Sequence, residues 1–130
     1  MQKPAELLVV DDSVTALEAL RATVEPLNAT VTTATSGEEA LRCLLNQPDM
    51  AAILMDVGLP GIDGFEIARR LRALDAHRPV LIALTGYGQP EDRRRATEAG
   101  FDEMLVKPVD PSALADLLAT LEIPGPGSRG

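Results

Sequence analysis

Five short apolar runs alternate along this chain with five stretches whose apolar residues recur every three or four positions. The runs are Glu6–Val10, Ala29–Thr35, Ala51–Met55, Pro79–Leu84 and Glu103–Val106. Each is too short for a helix, and several are rich in β-branched residues, so they read as strands. Strand and helix in regular alternation leave few architectures: a parallel sheet with right-handed crossovers and helices on both faces. The first, third and fourth runs are the most uniformly apolar, which suits central strands covered on both sides. The second alternates only weakly and the fifth is short, so both belong at the edges. The order 2-1-3-4-5 satisfies this, with its switch point between the first and third strands. The expected fold is therefore an α/β, five-stranded parallel sheet.

The intervening stretches carry helix signals. Val14, Leu17, Leu20 and Val24 recur at helical spacing up to Pro26. Ser36-x-x-Glu39 has the form of a capping box and opens a helix with Leu41, Leu44 and Leu45 on one side. Asp63-x-x-Glu66 is a second such signal, followed by Phe65, Ala68 and Leu71. Pro90 suits a first helical position, Glu91 and Asp92 suit the first turn, and Gly100 suits the stop. That helix has a thin apolar face, mainly Ala96 and Ala99, and is expected to be the least firmly docked. Asp110-Pro111 caps a last helix with Leu114, Leu117, Leu118 and Leu121 turned to the core. Residues 5–122 thus form one domain, and residues 123–130 read as a flexible tail or linker remnant.

Composition narrows the function. Aromatic residues are 2% of 130, so the core must be aliphatic. A formal charge of −8 argues against direct nucleic-acid binding, because no phosphate-neutralising surplus exists. Arg93-Arg94-Arg95 reads as a solvated helix face balancing Glu91, Asp92 and Glu98. Cys43 is the single cysteine, in a Leu-rich helical pattern, and reads as a small buried apolar residue. His77, the single histidine, reads as a surface loop residue. No apolar run approaches a membrane span and no signal-peptide pattern is seen, so the chain reads as cytoplasmic with no membrane partner.

Chemistry collects where the strands end. The first strand stops at Asp11-Asp12, the third at Asp56, the fourth at Thr85 and the fifth at Lys107. The carboxyl edge at a switch point is where open α/β sheets bind ligands. The first and third strands are neighbours, so three carboxylates meet there. Their repulsion calls for a divalent cation or a shifted pKa. All-oxygen ligation by few protein groups suits Mg²⁺. A carboxylate nucleophile, Mg²⁺, an ammonium and a hydroxyl aimed at one point suit phosphoryl transfer. Singly, Asp11, Asp12 or Thr85 would read as helix caps; jointly, capping does not explain them.

The constellation Asp11-Asp12, Asp56, Thr85 and Lys107-Pro108 resembles the receiver domain of two-component response regulators, over about residues 5 to 122. The 2-1-3-4-5 order is itself that of flavodoxin-like receiver folds, so it belongs to the resemblance. The resemblance implies that Asp56 accepts a phosphoryl group from a sensor histidine kinase or a histidine phosphotransfer protein. It implies that Asp12 and Asp56 ligate Mg²⁺ directly, with Asp11 acting mostly through water and the Gly58 backbone carbonyl as a further ligand. Lys107 would pair with the phosphoryl group, Thr85 would hydrogen-bond it, and the peptide bond before Pro108 would be cis and would fix the Lys107 loop. The domain would switch rather than act as an enzyme, with an output protein or attached domain as its further partner. The face made by the last two helix–strand units would change. One position departs from the family pattern: Met104 stands where many receivers carry Tyr or Phe, and Tyr87 is an alternative gate. The segment Leu84–Pro90 looks most like receivers attached to hybrid histidine kinases.

Two rivals remain at this point. One is a docking module that keeps the fold without being phosphorylated. The other is a haloacid-dehalogenase-like phosphatase, which needs a second Asp two residues after the first; Ser13 and Val14 stand at those places.

Overall fold

A computed structural model of the chain describes residues 5–27, 29–47, 50–58, 64–74, 79–86, 89–107 and 109–120. The expectations for Asp63, His77, Tyr87, Pro108, Leu121 and the tail fall outside these residues. The strands are β1 (Ala5–Val10), β2 (Ala29–Ala34), β3 (Ala52–Asp56), β4 (Val80–Thr85) and β5 (Glu103–Val106). The helices are α1 (Val14–Val24), α2 (Gly37–Asn46), α3 (Gly64–Leu74), α4 (Pro90–Ala99) and α5 (Pro111–Thr120). A short 3₁₀ turn at Glu25–Leu27, which the sequence reading did not anticipate, follows α1.

All neighbouring strands are parallel, in the order β2-β1-β3-β4-β5. Successive side chains of a strand point to opposite faces, and two cores result. Leu8, Val10, Ile53, Met55, Leu81 and Ala83 pack with Ala40, Phe65, Ile67, Ala68, Ala96 and Ala99, so α2, α3 and α4 cover one face. Leu7, Val9, Ala52, Leu54, Ile82 and Leu84 pack with Leu17, Leu20, Val24 and Leu114, so α1 and α5 cover the other. β3 and β4 are the most deeply covered strands, while β2 and β5 are partly open, as their edge positions require.

Helix starts follow side-chain chemistry. Ser13 caps α1, its hydroxyl accepting from the Ala16 N–H at 3.2 Å. Ser36 caps α2 and accepts from the Glu39 N–H at 3.1 Å. The Glu39 carboxylate reaches back to the Thr35 N–H at 2.7 Å and the Thr35 hydroxyl at 3.1 Å, one residue earlier than a capping box predicts. These bonds hold the Glu39 carboxyl below its ordinary range. Pro90 is the first residue of α4, and Gly100 ends it in the left-handed region at φ 108°. On α5, the Asp110 carboxylate accepts from the Ser112 N–H at 3.3 Å.

Three packing expectations need correction. Val14 is 64% exposed: it is the first residue of α1 and stands beyond the last residue of β1. Leu45 is 73% exposed: Leu41 and Leu44 pack partly against the core, and Leu45, about 100° further round α2 than Leu44, is turned away from it. Cys43 is only half-buried against the core; burial, then the Glu39 charge, pushes its thiol pKa up, which keeps it neutral. Among the described residues, no helix is long and apolar enough to cross a membrane.

Candidate functional site

Three strand ends and one loop converge at the carboxyl edge. β1 and β3 are hydrogen-bonded neighbours, so Asp11, Asp12 and Asp56 come together as the strand order requires. One carboxylate oxygen from each lies within 4.8 Å of the others. Asp11 is 1% exposed, Asp56 half-buried and Asp12 exposed. Backbone bonds fix the frame: the Asp11 N–H donates to the Ala34 carbonyl at 3.1 Å, and the Val57 N–H to the Leu84 carbonyl at 3.0 Å. The Lys107 N–H donates to the Thr85 carbonyl at 2.7 Å, which brings Lys107 beside β4.

The lysine is the centre of the site. Its Nζ donates to Asp11 Oδ2 at 2.8 Å and to Asp56 Oδ2 at 2.9 Å. The second oxygen of each aspartate accepts from a backbone N–H two residues on: Ser13 at 2.9 Å for Asp11, Gly58 at 2.8 Å for Asp56. Both carboxylates are therefore held at both oxygens, in planes set by the backbone. Burial alone would lower the Lys107 pKa, but the bonds to Asp11 and Asp56 and their charges outweigh it and hold the pKa above its ordinary value. The ammonium is thus charged at neutral pH. Sequence reasoning assigned Lys107 to an incoming phosphoryl group and met the carboxylate repulsion with a cation or a shifted pKa. The arrangement shows a third resolution, in which the lysine itself bridges the two acids.

Thr85 is 5% exposed and closes β4, one residue beyond the level of Asp56 in the β3–β4 register. Gly58 lies beside Asp56, where an added Cβ would sit 3.4 Å from Asp56 Oδ1. Met104 is 7% exposed and packs into the core beneath α4 rather than at the surface. Oxygen donors only, three of them carboxylates, match the preference of Mg²⁺.

The family model for the response regulator receiver domain matches residues 7–119. This chain belongs to the response regulator receiver domain family. The receiver is 40% identical over 114 residues to an uncharacterized 14.6 kDa protein in the sodA1 3′ region of Leptolyngbya boryana, covering 87% of this chain and 86% of that one. It is 36% identical over 123 residues to the virulence sensor protein BvgS of Bordetella bronchiseptica, covering 90% of this chain and 10% of that protein. It thus spans most of the first relative and a tenth of the second. The chemotaxis protein CheY4 of Vibrio cholerae shares its fold with a TM-score of 0.84 and 29% identity, covering 90% of this chain and 98% of that one. The receiver is accordingly a domain of two-component signalling with a CheY-like flavodoxin fold. Receiver domains as a class pair with histidine kinases or phosphotransfer proteins and bind Mg²⁺.

Two features escaped the sequence. Arg95, read as part of a solvated face, lays its guanidinium over the Phe65 ring, 4.4 Å from the centroid. Arg72 on α3 donates to the Gly100 carbonyl at 2.8 Å, to Asp102 Oδ2 at 2.8 Å and to the Pro79 carbonyl at 3.4 Å. The same Asp102 oxygen accepts from the Leu81 N–H at 2.8 Å, so one side chain extends the β4–β5 ladder and pairs with Arg72. Neither motif has a local signature, since each joins residues about 30 positions apart.

Proposed function

We propose that Asp56 is the phosphoacceptor of this receiver, taking a phosphoryl group from a phosphohistidine on a sensor kinase or phosphotransfer protein. The observation that carries the reading is the Lys107 bridge between Asp11 and Asp56 at the sheet edge. Asp56 Oδ2 is the oxygen bonded to Lys107, and Oδ1 is tied to the Gly58 N–H. Attack by Oδ2 forms a P–O bond as the P–N bond to the donor imidazole breaks, and the nitrogen keeps the electron pair. Lys107 Nζ then follows the new negative charge, exchanging a carboxylate oxygen for a phosphoryl oxygen at little cost in reorganisation. Thr85, on the adjacent strand end, offers a hydroxyl to a second phosphoryl oxygen.

Asp11, Asp12, Asp56 and the Gly58 carbonyl would hold Mg²⁺, which when bound supplies positive charge against the phosphoryl oxygens. The three clustered carboxylates support this assignment. Residues 5–122 are the functional unit in this reading, with 123–130 a tail or linker remnant. The state change falls on the surface formed by α4, β5 and α5, and an output protein or attached domain reads it.

The test is an NMR titration with Mg²⁺ and beryllofluoride, which mimics an acyl phosphate. Amide shifts at Val57, Thr85, Gly86 and Lys107, absent in Asp56→Asn, are expected. Equal shifts in Asp56→Asn would overturn the assignment.

A further inference from the structure

The basic charge of this chain is unevenly placed. α3 and α4 carry six arginines against four acids, in a chain whose net charge is −8. The sequence reading set Arg93, Arg94 and Arg95 against Glu91, Asp92 and Glu98. The structure does not pair them: among the described residues, none of these three arginines meets a carboxylate in an ion pair. Asp92 instead accepts from the Gln89 N–H at 3.3 Å. On α3, Arg69 and Arg70 share one carboxylate, Glu66, at 3.0 and 3.2 Å, so positive charge is left over there as well. Twenty acids in the chain could have matched these arginines, and the fold leaves them unmatched on one face.

Two of the arginines flank one groove. A cleft of about 490 Å³ lies between the carboxyl halves of α3 and α4, with Arg69, Arg72, Glu98 and Asp102 as its charged lining. Arg72 is committed to the fold through Gly100, Asp102 and Pro79, and Asp102 through Arg72 and the Leu81 N–H. Arg69 is less committed: its bond to Glu66 joins two half-exposed side chains, and such surface pairs are weak. Arg95 stands beside it, its guanidinium 4.4 Å from the Phe65 ring centroid. Phe65 lies one turn before Arg69 on α3 and is braced edge to face by Phe101, with centroids 6.2 Å apart. The ring positions Arg95, yet among the described residues none of its five N–H donors has a partner. A guanidinium held in place with its donors unspent is preorganised for a carboxylate, because part of its side-chain entropy is already lost.

We propose that the α3–α4 groove is a docking site for an acidic segment of a partner protein, whose carboxylates pair with Arg69 and Arg95. The charge pattern selects this occupant. Separate side-chain carboxylates can meet two guanidiniums while avoiding Glu98, the lining carboxylate with no partner among the described residues. A nucleic-acid backbone, charged at every phosphate, meets both Glu98 and the −8 of the whole chain. A second copy of this chain brings another −8. The groove is also distinct from the phosphoacceptor site. Asp102 directly precedes β5, and Pro79, which accepts from Arg72, directly precedes β4, so this end of the groove lies at the opposite sheet edge from Asp56. Docking here asks no change of Asp56.

The test is an NMR titration of the intact protein with a peptide of alternating Glu and Ala, at about 0.1 M salt, where charges more than about 10 Å apart are screened. Shifts are expected at the Arg69 and Arg95 Nε–H groups and at the Thr97 and Glu98 amides, and none with a peptide of alternating Gln and Ala. Arg69→Ala and Arg95→Ala should each weaken binding about two- to fivefold, the range of an exposed ion pair, and Glu98→Gln should tighten it by a similar factor. Arg42→Ala, which removes one positive charge on α2, should change the affinity by less than about 1.5-fold. No shift at millimolar peptide, shifts confined to other surfaces, equal binding of the Gln peptide, or an equal loss in Arg42→Ala would overturn the proposal. So would tighter binding of oligothymidylate than of the acidic peptide, or sedimentation showing a dimer that Arg69→Ala and Arg95→Ala dissolve.

Discussion

Replacing Lys107 by Met removes the charge that bridges two acids while keeping the side chain's volume. Two hydrogen bonds are lost, at 2.8 and 2.9 Å. Bonds to charged groups contribute about 1.5–3 kcal/mol each, so the pair supplies about 3–6 kcal/mol. Freeing the lysine rotamers on its removal returns about 2 kcal/mol. The net cost is then about 1–4 kcal/mol. Repulsion between Asp11, 1% exposed, and Asp56 places it in the upper half of that range. The second variant isolates the cause. In an Asp56→Asn background, Lys107→Met should cost at least 1 kcal/mol less, because one of the two like charges is gone. Urea unfolding followed by circular dichroism, with unchanged slope, measures all four corners of the cycle. A cost below about 0.5 kcal/mol, or one that is the same with Asn at position 56, would refute the claim that the lysine offsets carboxylate repulsion.

Two further predictions follow from the same geometry. Gly64→Ala should destabilise by about 1–3 kcal/mol, since the new methyl meets backbone and not a flexible side chain; an unchanged thermal midpoint would show that α3 can move off Val57 freely. The Lys107 pKa is raised in the fold, so its stabilisation is complete below its ordinary value of about 10.4 and is lost as pH rises through the folded value. The stability gap between wild type and Lys107→Met should therefore be flat from pH 7 to about 9.5 and shrink above about 10.4, read from urea midpoints at each pH.

The fold was legible because its signals are local and repeated. Uniform apolarity marked β3 and β4 as central, and the weak pattern of Ala29–Thr35 marked β2 as an edge. Asp11, Asp12, Asp56, Thr85 and Lys107 each stand at a strand's carboxyl end, so the topology brought them together once the strand order was known. Periodicity was less reliable for individual side chains. Val14 and Leu45 carry apolar character at helical spacing, yet one overhangs the sheet and the other is rotated off the buried face. The rest was hidden because it depends on distance in space. Arg72 meets Asp102 only after β4 and β5 pair, and Arg95 meets Phe65 only after α3 and α4 lie side by side. An arginine in a charged run looks solvated from sequence, since its neighbours Glu91, Asp92 and Glu98 suffice to balance it.

The central claim, that Asp56 accepts a phosphoryl group in this setting, is tested most directly by intact mass after incubation with acetyl phosphate. Wild type and Asp56→Asn are compared with and without Mg²⁺. The account predicts one added phosphoryl group in the wild type with Mg²⁺ and none in the other three samples. No adduct in any sample, alongside a receiver that is modified under the same conditions, or an adduct that persists in Asp56→Asn, would contradict it.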